Sequence, residues 1–123
     1  MKRIVFFLCL ITALNSHSQD FTFKRVSSQG LVTKMSGEIS ISDSVFIITI
    51  AGNRVESPIE ITLKKENFLS FKIKNTGDIQ VRYFLQQNVF DNKNEKYTLT
   101  EDYKDEFRQT IITTVYFLIP KLK

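Results

Sequence analysis

The chain has 123 residues, about one domain, with 17 lysines and arginines against 13 acidic side chains and a formal charge of +4. It carries one cysteine, one histidine and no tryptophan. Cys9 and His17 both fall in the first 18 residues. Downstream of them, histidine triads, Cys–His pairs and imidazole or thiolate metal sites are excluded.

Met1–Ser18 places Lys2 and Arg3 ahead of an apolar run from Ile4 to Leu14, followed by small residues at Ser16 and Ser18. This is the charged, apolar and small-x-small order of a cleavable export signal. The apolar run falls short of the roughly 20 residues that a spanning helix needs, so no transmembrane anchor is expected. Cys9 lies inside the run, behind Phe7 and Leu8, where it cannot become the acylated first residue of a lipoprotein. Cleavage is predicted after Ser18, leaving 19–123 as a single β-domain, periplasmic or secreted. Loss of the leader removes two cations and no acid, so the remaining chain is closer to neutral than +4 suggests. A small exported domain without cysteines has no disulfides, and its stability must come from burial and hydrogen bonding.

Alternation of period two dominates the rest. Ile39 and Ile41 share one face, with Glu38, Ser40 and Ser42 on the other. Asp43-Ser44 marks a turn, and Val45–Ile50 follows as a strand apolar on both faces, as expected of one covered on both sides. Ala51-Gly52-Asn53-Arg54 ends it. Ile59, Ile61 and Leu63 then point inward, with Glu60, Thr62 and Lys64 outward. Leu69, Phe71 and Ile73 repeat this, opposite Ser70, Lys72 and Lys74. Asn75-Thr76-Gly77-Asp78 reads as a tight turn with a glycine for positive φ. Beyond it Ile79, Val81, Tyr83 and Leu85 point inward, and Gln80, Arg82 and Gln86 outward. Asp91–Lys96 reads as a polar loop.

Thr100-Glu101-Asp102 and the spacing of Leu99, Tyr103, Phe107 and Ile111 suit a helix, whereas 110–119 is rich in strand formers. The reading adopted is a short strand around Tyr97, a charged turn with a short helical turn near 101–108, and a long final strand ending before Pro120. The fold class is therefore all-β, an antiparallel meander of about 7–8 strands forming a small barrel or sandwich.

Carboxylates are the chemistry that remains. Glu101, Asp102, Asp105 and Glu106 form the densest acidic group, but Lys104 and Arg108 interleave with them and no glycine shapes a cation loop. They read as a solvated turn with local ion pairs. Asp91, Asn92, Asn94 and Glu95 lack the spacing and glycine of a calcium loop. No glycine-rich phosphate loop follows a strand, and no cofactor is implied. The main candidate site is an anion or partner patch of Lys64, Lys72, Lys74 and Arg82, which unbroken alternation gathers on the outer face of three neighbouring strands. Glu60 shares that face. The inward aromatics, Phe71 and Tyr83 among them, either fill the interior or line a cavity.

With its leader, the strands from Gly37 to Gln86 and a final strand through Thr113, Val115, Tyr116 and Phe117, the chain resembles small exported lipocalin-like β-meander domains. The resemblance implies an architecture and no residue roles, because the Gly-x-Trp of that family's first strand is absent. Function is expected to be non-enzymatic: binding of a small apolar or anionic ligand or surface. The alternative is an interaction or inhibitor module that meets an exported or envelope protein through loops or a strand edge. Near-neutral charge and the compartment exclude nucleic acid as a partner.

Overall fold

In the computed structural model, residues 19–92, 94–105 and 110–121 are described. The predicted leader and residues 106–108 of the charged turn predicted near 101–108 lie outside them. Eight antiparallel strands run in chain order and close into a barrel, each paired to its sequence neighbours and the last to the first. They are β1 (Gln19–Ser28), β2 (Leu31–Ile41), β3 (Val45–Ile50), β4 (Asn53–Lys65), β5 (Phe68–Ile73), β6 (Ile79–Asn92), β7 (Glu95–Asp105) and β8 (Thr110–Pro120). Closure pairs Phe21 with Pro120 and Val26 with Tyr116, so no strand is left as an edge.

Local chemistry sets the turns. Gln29-Gly30 and Ala51-Gly52 are two-residue hairpin loops with both φ angles positive, at 53° and 84° and at 54° and 81°. That conformation matches the right-handed twist of the flanking strands. Glycine supplies it without strain, whereas Ala51 adopts it at a steric cost. Gly37 serves a different purpose. A Cβ there would overlap the Phe23 ring and lie 2.7 Å from the Thr49 carbonyl oxygen, so its bare backbone makes room for that ring.

The interior is filled at mid-height by aromatic rings. Phe46 lies against Tyr83 and Phe71, with centroids 4.6 and 5.6 Å away, and Phe71 stacks on Tyr83 at 5.1 Å. Phe23 meets Tyr116 edge to face at 5.2 Å. Ile39, Ile59, Leu99 and Leu118 complete this layer, all buried. A barrel of eight strands is just wide enough for such packing.

Three expectations change. Glu101–Asp105 continues β7 as strand, so no helical turn forms over those residues. The Asp91–Lys96 loop is a tight hairpin, with Asn92 paired to Glu95 across it. β3 buries only Phe46 fully, because its other face is the outside of a single-layered barrel. Among the described residues no helix is long and apolar enough to cross a membrane.

Candidate functional site

The alternation of β4 breaks at one point, and that break moves a charge. Ile61 pairs with Phe71, but the next pair is Leu63 with Ser70, so one extra residue is bulged out of β4. A bulge reverses the facing of everything beyond it. Leu63 therefore joins Thr62 on the outer side, half-exposed, where the Thr62 and Ser70 hydroxyls hydrogen-bond. Lys64 falls opposite inward-facing Leu69, at the mouth of the barrel.

That mouth is a cup of about 780 Å³. Its floor is apolar: Phe21, Leu69, Leu85 and Tyr97, with Phe21 and Tyr97 in an edge-to-face contact at 5.6 Å. Its rim carries Lys64, Lys65 and Lys121 together with Asp20 and Glu66. Lys121 Nζ is held by Glu38 Oε1 at 2.6 Å, and this hydrogen bond raises its pKa. Lys64 Nζ lies 4.0 Å from Asp43 Oδ1, both side chains well exposed, a pair of little energetic weight. Lys64 and Lys65 are thus the cations best placed to meet a ligand's charge above the apolar floor.

Lys72 of β5, Lys74 one residue past its end and Arg82 of β6 lie together on the outer side. They line a second hollow of about 750 Å³ with Glu60, where the strands part into the 74–78 loop. Lys72 and Arg82 are direct cross-strand partners. Carboxylates bracket them, with Glu60 Oε1 3.7 Å from Lys72 Nζ and Asp102 paired in register with Arg82. Cross-strand opposite charges stabilise such a face, and here they dilute its field. The four predicted cations therefore occupy two separate places: three share the outer hollow, and Lys64 stands at the mouth.

A third hollow, also about 750 Å³, contains an ion pair with a structural role. Arg25 grips Glu95 through Nε at 2.9 and 3.1 Å and through Nη2 at 2.8 Å, and Glu95 is 6% exposed. The guanidinium also lies 4.0 Å from the centroid of the Phe117 ring. Two N–H groups directed at one carboxylate fix the β6–β7 hairpin against β1. Sequence reasoning missed this pair because its members lie 70 positions apart, and it placed Glu95 in a solvated loop.

The acidic group divides. Asp102 faces out and accepts a hydrogen bond from Thr113 Oγ1 at 3.0 Å. Glu101 faces in, accepting one from the Tyr83 hydroxyl. Alternation along one strand separates carboxylates that are adjacent in sequence. No family model matches the chain, and neither a curated protein nor a solved structure matches it.

Proposed function

We propose that the protein is an exported, non-catalytic binding barrel that holds a small amphiphilic anion in the lysine-rimmed cup. The apolar body of the ligand rests on Phe21, Leu69, Leu85 and Tyr97, and its carboxylate or phosphate faces Lys64 and Lys65. The observation that carries this reading is the β4 bulge, which sets Lys64 at the mouth above an apolar floor. A hollow of about 780 Å³ falls in the size range of small-molecule sites. The filled mid-section confines such a ligand to the mouth rather than a deep calyx. Export rests on the leader sequence, and kinship with lipocalin-like domains on the closed eight-stranded meander.

Val32 and Ile111, exposed on the outer wall near the opposite end, favour a second reading as an interaction module for an exported protein. Calorimetric titration separates the two. Decanoate should bind the protein, and Lys64→Glu should weaken it by about tenfold, a change of about 1.4 kcal/mol. Lys72→Glu should leave the affinity within about twofold. Absence of binding at about 1 mM, or equal losses in both variants, overturns the cup as the site.

A further inference from the structure

The other mouth of the barrel, where the β1–β2 and β3–β4 turns lie, has a carboxylate set into its inner wall. Register fixes this: Glu101 is the direct partner of Tyr83 on one side and of Thr114 on the other. Tyr83 belongs to the core and donates its hydroxyl to Glu101 Oε2. Buried Tyr116, two residues from Thr114 on the same face, feels the charge of Glu101 as well. Among the described residues no lysine or arginine forms an ion pair with this carboxylate. Glu101 is partly exposed, so its charge is open to a ligand from this mouth while the Tyr83 hydroxyl holds its side chain in place.

Above Glu101 the wall is apolar and uncovered. Val81, Tyr103 and Ile112 are consecutive cross-strand partners one step closer to the mouth. Across the barrel, Val55 shares the inward face of Ile48, and Leu31 pairs with Ser28, two residues beyond buried Val26. Side chains on the inner face of a small barrel are normally the hidden ones. Here Leu31, Val55 and Ile112 are 71%, 55% and 39% exposed, so the inward face is open to solvent at this mouth, as a shallow vestibule.

We propose that this vestibule binds a small organic ammonium ion, an amine on an apolar body, with Glu101 as its counter-ion. The ammonium sits against the Glu101 carboxylate, to which the Tyr83 hydroxyl already donates. The apolar body lies along Tyr103, Ile112 and Val81. The ligand charge is opposite to that proposed for the lysine-rimmed cup, and the two sites stand or fall separately.

Hexylammonium and hexanol share an apolar tail and differ in head charge, and neither is an anion that the lysine-rimmed cup would hold. Titration of the full protein, followed by calorimetry and by amide NMR shifts, should give hexylammonium at least about tenfold tighter binding than hexanol. Shifts should centre on Glu101, Tyr103 and Thr114. Glu101→Gln, shown folded by circular dichroism, should lose that preference while Lys72→Glu retains it. Equal binding of the two probes, shifts centred on 64–69, or an unchanged preference in Glu101→Gln overturns the proposal. The comparison of probes on unaltered protein decides the matter even if Glu101→Gln does not fold.

Discussion

The two mouths of this barrel are cut from one meander, yet Lys64 stands at one of them and Glu101 is set into the inner wall of the other. At the β4–β5 end, one extra residue in β4 reverses the strand's facing and puts Lys64 where an isoleucine or leucine would otherwise point inward. At the other end the β6, β7 and β8 registers run without a break from Leu85 to Ile79, and the inward series of β7 takes in Glu101. A bulge places the first charge and strict alternation places the second. Between them, the packed rings of Phe46, Phe71 and Tyr83 keep the two hollows apart.

Removing that partition should have the largest effect. Phe71 is 1% exposed, and Phe71→Ala should cost about 3–5 kcal/mol, read as a lowered urea midpoint. If the cost is near 1 kcal/mol instead, the rings do not form a close-packed partition.

The buried tyrosines beside Glu101 give that mouth an alkaline signature of its own. Burial, reinforced by Glu101, pushes the Tyr116 phenol up from 10.0 to about 12, and the same causes push Tyr83 higher still. Between those values the folded state keeps protons that the unfolded chain has released. Stability should therefore be full below pH 10 and fall as the pH rises toward about 12, by roughly 2 kcal/mol for Tyr116 alone. Denaturant midpoints measured from pH 8 to 12 check this, and Tyr116→Phe should flatten the decline. A decline of the same depth in that variant would place its origin elsewhere.

The smallest effect concerns the turn at the Glu101 end. Ala51 holds a φ of 54°, which asparagine tolerates better than alanine, and Gly52 already follows it. Ala51→Asn should stabilise the protein by about 0.5 kcal/mol, raising the thermal midpoint by a few degrees. A lowered midpoint would show that the turn depends on the small side chain of alanine.

Much of the fold is legible from alternation alone. Ile39 and Ile41, Ile59 and Ile61, the series Leu69, Phe71 and Ile73, and the series from Ile79 to Leu85 all face inward as their spacing requires. The first strand was not legible, because Phe21 and Phe23 are out of step with Val26. A bulge between them, seen against both β2 and β8, restores the facing only once the partners are known. Leu63 and Lys64 mislead for the same reason. The four-residue spacing around Tyr103 suggested a helix, but β7 gains a full ladder on each side as strand, which an isolated helical turn cannot match.

By itself the sequence determined an all-β chain with short turns, an aromatic interior and no histidine or cysteine after residue 17, because composition and period-two patterning act residue by residue. Only the tertiary structure decided that the sheet closes, that Lys64 leaves Lys72, Lys74 and Arg82 for the mouth, that Glu101 turns inward, and that Arg25 finds Glu95. Each of these depends on pairing between strands, where a single extra residue exchanges inside for outside, and no local propensity records which residue that is.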